Sequence, residues 1–287
     1  MITLDPQELS PSVFHGWLLG AVVPRPIALA STQDSRGNVN LSPFSFFNCF
    51  GANPPIVVFS PARRGRDKTT KHTYENLLAV PEVVIHIVNY AIVQQVSLAS
   101  TDYPREVNEF RKAGFTEEPS LRVRPPRVRE APVAMECEVL QILPTGEGGG
   151  AGNLVICKVL LMHVKEDVIG ENGRIDPFRL DAVARLGQDW YCRVTGESIF
   201  SVPRPTETIG IGIDQLPTPI RQSDVLTGND LARLALVERI PEADPDFRVD
   251  RLTEALAEGQ RSVHKLAQEL INAGRYDAAW QVLLRVQ

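Results

Sequence analysis

The chain has 287 residues, 43% of them hydrophobic and 23% charged, with a formal net charge of -5. That is the composition of a soluble globular protein, and its acidic balance gives no global attraction to nucleic acid or to an anionic membrane. No apolar run approaches the roughly 20 residues of a membrane helix, and the opening "MITLDPQELSPS" lacks the basic and apolar regions of a secretory leader, so a cytoplasmic location is expected.

The first clear element is residues 26–33, "PIALASTQ", an apolar run that predicts a strand. "DSRGN" follows as a turn, with Gly37 and Asn38 suited to positive φ. The next stretch, "NLSPFSFFN" at 40–48, is irregular: three phenylalanines, two serines, two asparagines and a proline share nine residues. A second strand is expected over 55–60, "PIVVFS", and then a basic polar loop, "ARRGRDKTTK". A short helix is expected over 72–79 with Thr69 or Thr70 as its N-cap, then a strand over 82–89. Short helices are expected over 92–100 and 110–114.

Residues 117–132 hold four prolines and predict no regular element. Two long β-rich runs, 134–143 and 153–164, flank "PTGEGGGAG", which reads as a flexible hairpin loop. Residues 179–186 predict a short helix and 190–194 a last strand. Six or seven strands without regular strand–helix alternation suggest a barrel over a doubly wound sheet. The character changes near residue 200. A proline-rich connector, "SVPRPTETIGIGIDQLPTPIRQS", leads to helical patterns over 230–238, 249–273 and 277–285, with Gly274 as a C-cap. The expected domains are therefore residues 1–199 and an extension, 200–287.

The chemistry is narrowed by what is missing. There is no GxxxxGK[ST], no GxSxG and no HExxH. The glycine-rich 146–152 segment joins two strands with no helix after it, so it lacks the helix N-terminus of a dinucleotide turn. Cys49, Cys137, Cys157 and Cys192 lie far apart and form no CxxC or zinc pattern with the five histidines. Buried free thiols are expected, and no metal site. What remains is the 40–48 stretch and the loop after it. Ser42 and Ser45 offer hydroxyls, Asn40 and Asn48 amides, and Phe44, Phe46 and Phe47 flat apolar faces. Lys71 and Thr73 offer a cation and a hydroxyl near a helix N-terminus, a suitable place for a phosphate. The residues alone leave two readings open: a site for a planar ring with a phosphate tail, or a phenylalanine core beside a solvated helix start.

The run "PRPIALASTQDSRGNVNLSPFSFFNCFGANPPIVVFSP", followed by "KHTYEN" at 71–76 and "IHIVN" at 85–89, resembles the flavin reductase-like, FMN-binding split-barrel family. That family includes flavoredoxin and the reductase components of two-component monooxygenases. The resemblance spans roughly residues 15–195. It implies a mainly β fold, a six-stranded antiparallel Greek-key split β-barrel with short helices, here carrying a helical C-terminal extension. It implies a homodimer with FMN near the interface and NADH or NADPH as electron donor. The FMN contacts it implies are Ser42, Phe44, Ser45, Asn48, Lys71 and Thr73, with Ser45, Lys71 and Thr73 on the phosphate side. No side-chain acid or base is required, so no catalytic residue is named.

The resemblance has departures. The lysine is followed by His72 where the family commonly has aspartate. Asn153 stands near the place of a strand histidine that would meet the nicotinamide, Cys157 stands near a usual glycine, and His163 lies ten residues on. An NAD(P)H-dependent flavin reductase, or the reductase component of a monooxygenase with an oxygenase partner, is the leading expectation. A flavoredoxin-type electron carrier, or a non-enzymatic flavin- or haem-binding barrel whose extension docks a partner, is the alternative.

Overall fold

Residues 28–33 form the first strand because Ala28 and Ala30 pack into one apolar cluster while Leu29, on the opposite face, packs into another. A strand covered on both faces reads as a continuous apolar run. The structure, a computed structural model, describes residues 1–202 and 209–286. The chain divides into two compact units, Met1–Phe200 and Ser201–Gln287. Part of the proline-rich connector, residues 203–208, lies outside the described residues.

In the first unit, helix α1 (Pro11–Ala21) precedes the strands β1 (Ala28–Gln33), β2 (Val39–Phe44), β3 (Phe47–Ala52) and β4 (Pro55–Phe59). Helix α2 (His72–Ala79) leads to β5 (Glu82–Ile87), then to α3 (Val93–Leu98) and α4 (Glu109–Ala113). A two-residue ladder, β6 (Glu117–Glu118) with β7 (Arg127–Val128), is followed by the long hairpin β8 (Val133–Pro144) and β9 (Asn153–Val164). The unit closes with α5 (Pro177–Leu180) and the hairpin β10 (Val183–Gly187) and β11 (Trp190–Arg193).

Seven strands make one antiparallel sheet in the order β2-β1-β5-β8-β9-β4-β3. Consecutive strands β2 and β3 thus lie at opposite edges, yet only Ser45 and Phe46 separate them. Three Cα steps span at most about 11 Å, so the two edges must come together at that bend. The sheet is therefore rolled into a barrel whose edges meet without pairing, a split barrel. It counts seven strands where six were expected because the 40–48 stretch supplies a strand on each side of Ser45-Phe46. Inside the roll pack Ala28, Ala30, Phe44, Val57, Phe59, Ile85, Met135, Cys137, Val155 and Cys157. Phe59 is wholly buried and meets Phe44 at 5.5 Å between ring centroids. Outside, Leu29 and Leu41 are covered by Ile92, Val96 and Phe110.

Polar side chains fix the covering elements. Asn40 Nδ2 donates to Thr73 Oγ1 (2.9 Å) and Asn76 Nδ2 to Thr32 Oγ1 (3.2 Å), which pins α2 to β1 and β2. His86, fully buried in β5, takes the N–H of Val128 on Nε2 (2.8 Å) and so donates from Nδ1 to the Leu29 carbonyl (2.8 Å). Burial pushes its pKa down to about 4. His163, ten residues into the last long strand, bonds Glu136 Oε1 at 2.7 Å and is a structural residue.

Several local expectations are corrected. Residues 179–186 are not a helix: α5 ends at Leu180, Asp181 takes φ 50, and β10 begins at Val183. Pairing of 183–187 with 190–193, and of Arg185 with Arg25, outweighs local propensity there. Helix α1 carries no strong amphipathic stripe and buries none of its residues, and nothing in its sequence pattern marked it. The N-cap of α2 is Lys71, without a side-chain bond, because Thr70 donates to Glu75 and Thr69 to Asp67. Within 117–132 the β6–β7 ladder is regular. Of the four cysteines only Cys137 and Cys157 are buried; Cys49 is exposed and Cys192 half-buried.

The second unit contains α6 (Thr218–Arg221), α7 (Gly228–Leu234), α8 (Leu252–Glu258), α9 (Gln260–Asn272) and α10 (Tyr276–Leu283). Its own core gathers Ile220, Leu234, Val263, Ile271 and Leu283 around the fully buried Trp280, whose Nε1 donates to the Leu234 carbonyl (3.2 Å). Thr227 and Asp230 cap α7 reciprocally. The helical pattern over 249–273 is two helices, because Gly259 takes φ 100 between them.

Candidate functional site

The β2–β3 bend opens a cleft of about 520 Å³. Ser42, Phe44, Ser45 and Phe46 form one wall, the basic loop with Arg63, Arg64, Arg66 and Lys71 another, and Ser100 and Asp102 a third. The wall of phenylalanine and serine exists because the chain must jump between sheet edges: Pro43 sits at the end of an edge strand, where its missing N–H leaves no ladder partner wanting.

Asp102 organises the basic residues. Arg64 grips it with Nε at 3.0 and 2.9 Å from its two oxygens and Nη2 at 2.7 Å from Oδ1. Arg66 Nη2 reaches Oδ2 at 2.9 Å and Lys71 Nζ reaches Oδ1 at 3.4 Å. The Arg64 guanidinium holds the Asp102 carboxyl down at about 2, and Asp102 raises Arg64 in return. Arg64 also donates to the Thr70 carbonyl, so its fork is fixed from both ends. Arg66 also pairs with Asp67 (3.2 Å), so two carboxylates stand against Arg63, Arg64, Arg66 and Lys71, which leaves unspent positive charge in a concave, half-shielded place. Asp67, exposed nearby, is held down at about 2 chiefly by its bond from Thr69. His72, at the start of α2, has its pKa lowered by burial and then by Arg64.

The loop is buttressed by the β8–β9 hairpin. The Arg63 N–H donates to the Ala151 carbonyl (2.9 Å) and the Gly150 N–H to the Arg63 carbonyl (3.1 Å). A Cβ on Gly149 would lie 2.8 Å from the Gly65 carbonyl oxygen, so only glycine lets the two loops approach this closely. Asn153, fully buried, donates from Nδ2 to the Pro61 carbonyl (2.8 Å) and accepts nothing on Oδ1 among the described residues; its backbone N–H donates to Ser60 Oγ (3.0 Å). Its amide holds the root of the basic loop.

The residues expected to form a site divide into two groups. Ser42, Phe44, Ser45 and Lys71 come together in the cleft. Asn48 faces an adjoining apolar hollow of about 300 Å³, shared with Phe46, Phe50, Val58 and Leu154. Thr73 is buried on the far side of Lys71, occupied with Asn40. Arg63, Arg64, Arg66 and Asp102 were not singled out from sequence. The charge run "ARRGRDK" was a visible signal for the first three; nothing local signals Asp102, which reaches the cleft from the segment after α3. Among the described residues no group of His, Cys, Asp and Glu could hold a metal ion.

With fold and cleft in hand, comparison with known proteins places the chain. It belongs to the flavin reductase-like family: the family model for the flavin reductase like domain matches residues 19–178. An uncharacterised protein of Halalkalibacterium halodurans is 38% identical over 71% of this chain and 96% of its own length. Nitrilotriacetate monooxygenase component B from Bacillus cereus superposes with a TM-score of 0.66 at 29% identity, covering 70% of this chain and 98% of that one. The 2-nitrobenzoate 2-nitroreductase of Pseudomonas fluorescens gives 0.62 at 28%, covering 74% and 100%. The protein is thus a mainly β, flavin-binding split-barrel oxidoreductase of this family. Among the described residues no helix is long and apolar enough to cross a membrane.

Proposed function

We propose that the protein binds FMN in the cleft at the β2–β3 bend and is an NAD(P)H-dependent flavin reductase, free-standing or as the reductase component of a two-component monooxygenase. The observation that carries this reading is the convergence of Arg64, Arg66 and Lys71 on one carboxylate beside Ser42 and Ser45. A phosphate dianion balances that excess charge, and Arg forks match its oxygens. FMN would supply hydride acceptance and onward electron transfer. The chain's own residues bind and orient: the basic loop takes the phosphate, Ser42 and Ser45 present hydroxyls, and Phe44, packed on Phe59, gives that wall a rigid back. Asn48 borders the apolar hollow next to the ring, and Thr73 supports the phosphate side indirectly by fixing α2 under Lys71.

A homodimer is part of this reading. Helix α1 leaves Trp17 and Leu18 about half exposed (50% and 47%), a large apolar area for a free surface. One observation favours the carrier alternative. Asn153 is committed to the Pro61 carbonyl and buried, so it presents nothing to a nicotinamide.

A visible spectrum of the purified protein, followed by anaerobic NADH and then NADPH, tests both readings. Flavin bands that bleach with a pyridine nucleotide support the reductase and identify the donor. Bands that bleach only with dithionite support a flavoredoxin-type carrier. A protein that takes up no flavin after soaking in FMN sinks both.

A further inference from the structure

A smaller hollow of about 230 Å³ shares Pro43, Ser45 and Ser100 with the cationic cleft. Its apolar side is Ile27 and Val96; its polar side is Ser97, Arg185 and Tyr191. Arg185 is set in place from both ends. Its backbone exchanges two hydrogen bonds with Arg25, each 2.9 Å. Its guanidinium lies 4.7 Å from the centroid of the Tyr191 ring, donates from Nη1 to the Tyr191 hydroxyl (2.9 Å) and from Nη2 to the Gln188 carbonyl. Two of its five N–H donors are thereby used.

The other arginine of the same hairpin is arranged differently. Arg193 is closed by a two-bond pair with Asp181, at 2.7 and 2.8 Å. Among the described residues, Arg185 has no carboxylate within ion-pair distance. A partly shielded, pre-oriented guanidinium without an acid, facing a hollow with hydroxyls, is a place for an anion from outside.

We propose that this hollow is a second-substrate subsite, in which Arg185 holds the carboxylate of a small aromatic acid beside the flavin. The charge sets the class. The cationic cleft has several cations and suits a phosphate; this hollow has one arginine and suits a monoanion. A planar fork matches a carboxylate bidentately. The size sets the rest, since 230 Å³ is below the roughly 300–1,000 Å³ of sites for drug-sized ligands and admits about one ring. Ile27, Val96 and Pro43 give that ring apolar contact, and the Ser97 hydroxyl borders the carboxylate, the Ser100 hydroxyl being donated to the Ser97 carbonyl (2.6 Å). The assignment of the neighbouring cleft to FMN is what makes this a substrate site, but the anion site itself stands on Arg185.

Sodium benzoate, titrated calorimetrically into the full-length protein before and after FMN loading, tests it, with benzamide as the uncharged counterpart. Benzoate is expected to bind the FMN-loaded protein at least tenfold more tightly than benzamide. Arg185→Gln should weaken benzoate ten- to hundredfold, the range for a lost charge-assisted pair, and leave FMN affinity within about twofold. Arg185→Lys keeps the charge without the fork and should fall between; circular dichroism of each variant reports its folding. Equal binding of benzoate and benzamide by the unaltered protein, or no binding of benzoate in either form, overturns the proposal without recourse to a variant. So does an equal loss of FMN and benzoate affinity in Arg185→Gln, which would assign Arg185 to the flavin. If no FMN binds but benzoate still binds through Arg185, the flavin reading fails and the anion site stands.

Discussion

The β8–β9 hairpin and the β2–β3 bend both join consecutive strands, and they could hardly differ more. The first links two twelve-residue strands that pair with each other along their length. The second links two strands that never pair and lie at opposite edges of the sheet. The hairpin supplies strength in the usual way, through its own ladder. The bend leaves polar side chains and a gap, and the cleft forms there. Where a barrel is left unzipped, groups that would otherwise serve the ladder or the core are free for a ligand. The hairpin still contributes, because its loop props the basic loop opposite the gap.

That contrast can be broken most severely at Phe59, which both regions need. Phe59→Ala removes a fully buried ring that packs on Phe44, and should cost about 3–5 kcal/mol of unfolding free energy in a urea titration. A loss below 1 kcal/mol would mean that the barrel interior is not shared by the bend. Next comes the cleft alone. Arg64→Ala should weaken FMN binding by about 1.5–3 kcal/mol, and it should also lower the urea midpoint because it leaves Asp102 and the Thr70 carbonyl without their Arg64 partner. Lys71→Ala, which loses a single long bond to Asp102, should cost less, about 1–2 kcal/mol. Equal effects would place the phosphate nearer Lys71 than Arg64.

The buttress is tested by Gly149→Ala. A methyl 2.8 Å from the Gly65 carbonyl forces the two loops apart, at a cost of about 1–3 kcal/mol shared between FMN affinity and stability. FMN affinity unaffected by this change would show that the basic loop holds its shape without the hairpin. An effect that appears only as pH falls belongs to the barrel wall. His86 is neutral when folded, with its pKa at about 4 against an ordinary 6.5. The unfolded chain therefore binds the extra proton first, and stability should fall as pH drops from 6.5 towards 4, by at most about 1.4 kcal/mol per pH unit. His86→Gln should flatten that slope, and an unchanged slope would assign it to carboxylates instead.

The strands were legible where their partners are regular. Residues 153–164 and the helix over 72–79 have the bounds that apolar runs and turn residues suggest. What escaped was set by distant partners. β10 exists through Arg25 and residues 190–193, which no local pattern at 183–187 announces. Helix α1 has apolar residues on all sides and buries none, so periodicity had no stripe to detect. In the cleft, Ser42, Phe44, Ser45 and Lys71 come together because two short segments carry them. Asp102, the carboxylate at the centre, lies 31 residues beyond Lys71 and has no motif of its own. Thr73 is expected on the phosphate side at a helix start; with Lys71 as the cap, its hydroxyl is turned inward to Asn40.

The two residues of the β2–β3 bend also act as a spacer. Lengthening an ordinary hairpin adds slack to solvent, but adding even one residue between Phe44 and Phe47 raises the limit on the distance between the sheet edges from about 11 to about 14 Å. The aperture of the cleft is thus written in the number of residues at the bend, independently of their identity. Insertions and deletions there would retune which flavin the barrel admits without altering a single strand.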